Sequence, residues 1–113
     1  MATVPIGKMQ DSPWLDEIVQ RLVATFQPEQ ILLFGSWARG EAGPESDIDL
    51  LVVVPSAEPL HRRMARAQRA LRGLPAATDV FVVTPEELAR YRDWPSHTVA
   101  VALREGRQVH AAA

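Results

Sequence analysis

The sequence contains no cysteine among its 113 residues. This absence excludes a disulfide framework, a thiolate metal site and a cysteine nucleophile. The three histidines, His61, His97 and His110, lack the spacing of metal ligands, and we interpret them as structural. The sequence also has no apolar run of about 18 residues, and its first residues, MATVPIGKMQDSPW, lack the apolar core of a signal peptide. We therefore expect a cytoplasmic protein without a membrane segment.

Basic side chains are scarce in the first half of the chain. Residues 1–58 carry nine acidic and three basic side chains, although the net charge of the whole chain is only −2. An acidic half argues against a nucleic-acid-binding domain, whose affinity would come from a basic face. It suits a cation-binding site better, and we expect no direct contact with nucleic acid.

The chain is too short to include a separate substrate domain. Its 113 residues, of which 47% are hydrophobic and 23% charged, are typical of one globular domain. We predict a flexible tail at residues 1–12 and a single domain at residues 13–110. Any large substrate would then have to be bound by another chain.

Hydrophobic periodicity and turn residues predict a mixture of helices and strands. Ser12 and Pro13 are typical of a helix start, and the sequence TPEE from Thr84 to Glu87 is typical of a capping box. Short β-branched runs bounded by glycine or proline predict buried strands. The expected helices lie within 13–26, 36–42, 58–73, from 85 onward and 95–106, and the expected strands at 30–34, 47–54 and 78–84, with 107–110 as a closing strand. This order predicts an α/β or α+β fold with a small mixed sheet of three to four strands flanked by helices.

Two aspartates stand one residue apart at the start of the second predicted strand. Asp47 and Asp49 should lie on one face of that strand, about 7 Å apart, because strand side chains alternate in direction. Two like charges at that distance repel by roughly 2 kcal/mol at an effective dielectric constant of about 20. A divalent cation would relieve the repulsion, and oxygen ligands select Mg²⁺ or Mn²⁺. Asp79, at the start of the third predicted strand, would complete a site for two metal ions if the two strands are neighbours.

A second motif, Gly35-Ser36, directly follows the first predicted strand. The glycine allows a tight turn, and the serine then lies at the start of a predicted short helix, where free N–H groups and a hydroxyl favour a phosphate. Carboxylates for a metal and a turn for a phosphate together predict a nucleoside triphosphate site.

These motifs resemble a known family. The spacing Gly-Ser, ten residues, Asp-x-Asp, followed by an aspartate that opens a later strand, is similar to that of the nucleotidyltransferase superfamily of the DNA polymerase β type, and most similar to its minimal nucleotidyltransferases. The resemblance runs from about residue 14 to residue 106. It implies that Gly35 and Ser36 hold the triphosphate of ATP, and that Asp47, Asp49 and Asp79 ligate two Mg²⁺ ions. It also implies that Asp79 helps to deprotonate the acceptor hydroxyl.

The resemblance also implies a partner. Minimal nucleotidyltransferases are commonly paired with a helical HEPN toxin, as antitoxins that transfer AMP from ATP onto the partner protein. Two alternatives stay open: a non-catalytic antitoxin that acts by binding its partner, and nucleotidyl transfer to a small molecule such as an aminoglycoside. The latter would need a pocket between two chains, and a homodimer or a hetero-oligomer is compatible with the sequence.

Arginines offer two further candidate functions. Arg39, three residues after Ser36, could reach a phosphate of the nucleotide or pair with Glu41 or Glu45 at the surface. A second set lies on one face of the third long helix and is either a solvated face or a docking surface for an acidic partner. It consists of Arg62, Arg66, Arg69 and Arg72.

Overall fold

A computed structural model describes residues 11–112 of the chain. The predicted tail lies outside this part, except for its last two residues. The described elements, in chain order, are α1 (Leu15–Phe26), β1 (Gln30–Phe34), α2 (Ser36–Arg39), β2 (Ile48–Val53), α3 (Leu60–Ala70), β3 (Thr78–Val83), α4 (Pro85–Tyr91), α5 (Thr98–Glu105) and β4 (Arg107–Ala111). None of the helices in this part is long and apolar enough to span a membrane.

The four strands form one mixed sheet in the order β3-β2-β1-β4. β2 and β3 are parallel and are connected through α3, whereas β1 pairs antiparallel with both β2 and β4. The predicted fold class is therefore confirmed, and the closing strand does form. The parallel pairing of β2 and β3 matters most for function, because it places the starts of these two strands side by side.

The sheet is covered on both faces. One face packs against α1 and α3 through Ile31, Leu33, Leu50 and Val52, and the other packs against α4 and α5 through residues such as Leu51. β2 is buried on both sides over most of its length, because residues 50–53 are each at most 1% exposed. Polar side chains are thus confined to the start of β2, where the covering helices end.

The long helices begin slightly later than the sequence predicts. The Ser12 hydroxyl accepts a hydrogen bond from the Trp14 N–H at 3.1 Å, so that a turn precedes α1. α5 begins at Thr98, where the ring Nδ1 of His97 accepts a hydrogen bond from the Val99 N–H at 3.1 Å. This cap agrees with the structural interpretation of His97.

The prediction for α3 is wrong in two places. The helical spacing of Leu60, Met64, Ala67 and Leu71 predicts a buried face. Leu60 is nevertheless 42% exposed, and Arg63, which the pattern did not single out, is 3% exposed. Arg66 is also not a free surface arginine, because it donates to Glu58 and to the carbonyl of Thr25. The predicted arginine stripe is therefore interrupted, and only its other three members are exposed: Arg62, Arg69 and Arg72.

Candidate active site

The sheet register brings two of the predicted carboxylates together. Asp49 in β2 lies opposite Asp79 in the parallel strand β3, and on its other side it lies opposite Phe34, the last residue of β1. Residues directly opposite each other in a sheet point to the same face. Asp49 and Asp79 therefore share the sheet face that α4 and α5 cover further along the strands.

Asp47 lies just before β2 rather than within it. Asp47 and Asp79 are exposed, and Asp49 is half-buried. Burial raises the pKa of the Asp49 carboxyl above its ordinary value, and the charges of Asp79 and Asp47 raise it further, whereas Arg39 lowers it. Asp47 and Asp79 therefore both act on Asp49 with a repulsive charge, although the strand begins one residue later than the sequence predicts.

Gly35 lies against the carboxylate of Asp49. Its backbone has φ 74° and ψ −155°, a conformation that residues with a side chain rarely adopt. A Cβ atom at this position would lie 2.0 Å from Asp49 Oδ2. Glycine is therefore required both for the turn after β1 and for the space that the Asp49 carboxylate occupies.

Ser36 and Arg39 belong to the four-residue helix α2 directly after this turn. Ser36 is half-buried, and Arg39 is exposed. The Arg39 guanidinium pairs with Glu41 at 2.9 Å, as one of the two interpretations predicted, and not with Glu45. It also pairs with Glu105, again at 2.9 Å. Arg39 lies near the aspartates, because its charge lowers the pKa of Asp49.

Comparisons with known proteins assign the chain to a family. The family model of the nucleotidyltransferase domain matches residues 15–107. The chain belongs to this family. None of the curated protein sequences matches it.

Solved structures of nucleotidyltransferases share the fold. A proposed nucleotidyltransferase from Sulfolobus solfataricus is 29% identical, with 80% of this chain and 84% of that chain covered and a TM-score of 0.57. A toxin–antitoxin structure with AMP-PNP is 23% identical, with 86% and 73% covered and a TM-score of 0.62. A MntA-HpeT toxin–antitoxin variant with two aspartates replaced by glutamate is 20% identical, with 86% and 72% covered and a TM-score of 0.60. The last two support the fold alone.

Sequence reasoning missed one residue of this nucleotidyltransferase site, Glu105. Its Oε1 atom accepts hydrogen bonds from the Gly35 N–H at 3.1 Å and from Arg39 Nη1 at 2.9 Å. Glu105 follows Gly35 by 70 residues, and no spacing rule connects the two positions. The same carboxylate oxygen therefore bonds both the start of the glycine turn and Arg39.

The carboxylates have the chemistry that a hard divalent cation requires. Asp47, Asp49 and Asp79 offer only oxygen ligands, and their mutual repulsion would be relieved by a bound Mg²⁺ or Mn²⁺. Within residues 11–112, no three acidic or histidine side chains are already grouped around one point. Since Asp47 and Asp79 are exposed, their side chains can rotate toward Asp49. With the three carboxylates turned toward one another, the donor set fits a metal ion.

Two cavities lie beside the site rather than in it. The first, about 780 Å³, lies between the start of α1 and β4 and touches none of the predicted site residues. The second, about 440 Å³, is lined by Trp37, Ser46 and Ile48, which neighbour Ser36, Asp47 and Asp49 in sequence, but by no aspartate. Asp47 and Asp79 are exposed, so the candidate site lies at an end of the sheet that is open to solvent.

Replacing Gly35 by alanine is expected to destabilise the protein and to displace Asp49. The positive φ should cost about 1–2 kcal/mol of unfolding free energy, and the added Cβ would require the Asp49 carboxylate to move. Chemical denaturation and AMP-PNP titration measure the two effects. Gly43→Ala is the matched control, since a Cβ at Gly43 would meet nothing within 4 Å. Equal stability and equal nucleotide affinity of the two variants would contradict the assigned role of Gly35.

Proposed function

We propose that this nucleotidyltransferase transfers AMP from ATP to a hydroxyl group of a partner protein, and that it serves as the antitoxin of a helical HEPN toxin. The observation that carries the proposal is the placement of Asp49, in register with Asp79 and in contact with the glycine turn that precedes Ser36. The aspartates and the proposed phosphate-binding turn meet at the end of the sheet where β1 ends and β2 begins.

The proposed reaction is an in-line displacement at phosphorus. The acceptor hydroxyl oxygen forms a bond to the α-phosphorus of ATP, the bond from that phosphorus to the bridging oxygen breaks, and pyrophosphate leaves. Ser36 and Arg39 would bind the phosphates that become pyrophosphate, and Asp79, which is exposed, would accept the hydroxyl proton and pass it to water. Catalysis would come from positioning and charge stabilisation.

Asp47, Asp49 and Asp79 would hold the divalent cation or cations. When bound there, Mg²⁺ would neutralise the negative charge of the triphosphate and of the leaving pyrophosphate. Asp49 is central to this group, because the charges of both other aspartates act on it.

Two observations support a protein acceptor. The fold is shared with toxin–antitoxin structures, one of which contains AMP-PNP. The described part of the chain is one sheet with its covering helices, without a further layer that would enclose a small substrate over the aspartates. A partner protein could cover this end of the sheet with its own surface.

Incubation with α-labelled ATP and Mg²⁺ should label the cognate HEPN partner protein. The double variant Asp47→Ala/Asp49→Ala should give no label. The same double variant should also fail to protect cells that produce the toxin. Protection without labelling would instead indicate an antitoxin that acts by occlusion, and labelling by the double variant would contradict the catalytic assignment.

A further inference from the structure

We propose that Glu105 is a positioning residue for the nucleotide: it holds the glycine turn and Arg39 in the arrangement that binds the triphosphate. This inference rests on the proposed function and names a residue that the family motif does not contain.

One carboxylate oxygen joins the glycine turn to Arg39. Glu105 Oε1 accepts from the Gly35 N–H at 3.1 Å and from Arg39 Nη1 at 2.9 Å. The first bond fixes the peptide between Phe34 and Gly35, at the start of the turn. The second fixes the guanidinium, which Glu41 holds from the solvent side at 2.9 Å. Glu105 is 25% exposed, so its interaction with Arg39 is less screened by water than that of Glu41, which is 64% exposed.

Gly106 lets the end of α5 approach β1 closely enough for this contact. A Cβ at Gly106 would lie 2.2 Å from the carbonyl oxygen of Ala102 and 3.2 Å from that of Leu33. Its backbone has φ −79°, so the requirement is for space rather than for an unusual conformation. α5 packs against β1 and β2 and delivers Glu105 to the position where β1 ends.

The location of Glu105 is otherwise unfavourable for an acidic residue. It is the last residue of α5, where the helix dipole favours a cation. Its charge also acts on Asp49 with the same sign as those of Asp47 and Asp79. Both effects disfavour a carboxylate at this position. We attribute its presence to the two groups that it binds, the Gly35 N–H and the Arg39 guanidinium.

The test compares the affinity of wild type and variants for AMP-PNP in the presence of Mg²⁺. Glu105→Ala removes both hydrogen bonds and is expected to weaken binding by about ten- to a hundred-fold, as the loss of bonds to charged groups does. Glu105→Gln keeps an acceptor for the Gly35 N–H but loses the charge, and should lie between Glu105→Ala and wild type. Glu41→Ala is the matched control, because it removes the other partner of Arg39 without touching Gly35, and should bind AMP-PNP within about threefold of wild type.

Two further readouts separate positioning from a purely structural role. If Glu105 acts through Arg39, the loss in the double variant Arg39→Ala/Glu105→Ala should be smaller than the product of the two single losses. Hydrogen–deuterium exchange should show faster exchange across Gly35–Gly40 in Glu105→Ala, while α1 and α3 exchange as in wild type. A structural defect would instead speed exchange throughout.

Each outcome decides the inference. Wild-type affinity in Glu105→Ala would overturn it, and tighter binding would overturn it by showing that the carboxylate competes with phosphate for Arg39. Multiplicative losses in the double variant would also overturn it. If wild type itself binds no AMP-PNP, the proposed function fails and the inference fails with it, whereas intact binding by wild type and Glu105→Ala together refutes the inference alone.

Discussion

Replacing Asp49 by asparagine is expected to reduce AMP transfer by about 10³-fold or more, as the loss of a central charge-stabilising group does, without loss of stability. Asparagine has nearly the same shape but cannot carry the negative charge. Asp49 is half-buried and lies beside two other carboxylates, which is why its pKa is raised. A neutral side chain at this position removes unfavourable desolvation and repulsion, so the free energy of unfolding should stay equal or rise.

The combination of lost activity and retained stability is the informative result. Transfer of labelled AMP to the partner measures activity, and chemical denaturation without Mg²⁺ measures stability. Asp93→Asn is a suitable control, because Asp93 is an exposed aspartate between α4 and α5. Transfer by Asp49→Asn within tenfold of the control would refute the assigned role, and an unfolded variant would refute the account of its electrostatics.

Features set by neighbouring residues were predictable from the sequence. The β-branched run of β2 and the capping box at Thr84 both form, since each depends on contacts within a few residues. In the capping box, the Thr84 hydroxyl accepts from the Glu87 N–H and the Glu87 side chain accepts from the Thr84 N–H. Local chemistry also predicted that Gly35 precedes a short helix.

Features that depend on strand register could be predicted from the sequence only on the condition that particular strands are neighbours. The convergence of Asp49 and Asp79 depends on β2 and β3 being parallel neighbours, and a shift by one residue would send one of the two side chains to the opposite face. The role of Glu105 was not predictable, because its partners lie 66 and 70 residues away. Such contacts follow from how α5 packs on the sheet, which no local pattern determines.

The position of Arg63 shows where hydrophobic periodicity fails. The pattern of α3 predicts an apolar stripe and a charged face, yet Arg63 is buried and satisfied on every side. Its guanidinium donates to both carboxylate oxygens of Glu87 at 2.7 and 2.8 Å, to the Val82 carbonyl at 2.7 Å and to the Glu58 carbonyl at 3.1 Å. The bidentate pair with Glu87 connects α3 to the start of α4. The bond to the Val82 carbonyl connects α3 to the end of β3.

Replacing Arg63 by methionine is expected to reduce the free energy of unfolding by about 3–5 kcal/mol, the range for removing one partner of a buried ion pair. Methionine keeps most of the apolar stem but leaves the Glu87 carboxylate without its ion-pair partner and the Val82 carbonyl without the Arg63 donor. Denaturant unfolding at neutral pH measures the loss. Arg62→Met is the matched control, because Arg62 is the exposed neighbour and makes no ion pair within residues 11–112; it should change stability by no more than about 0.5 kcal/mol.

The pH dependence of this loss identifies its cause. The hydrogen bonds from Arg63 hold the pKa of Glu87 below its ordinary value of 4.5. A carboxyl group whose pKa is lowered by folding stabilises the protein fully above its ordinary pKa and loses that contribution as the pH falls through the lowered value. The stability difference between wild type and Arg63→Met should therefore be largest near neutral pH and should shrink below about pH 4.5. A difference that stays constant from about pH 7 to about pH 3 would assign the loss to packing of the arginine stem instead of to the ion pair.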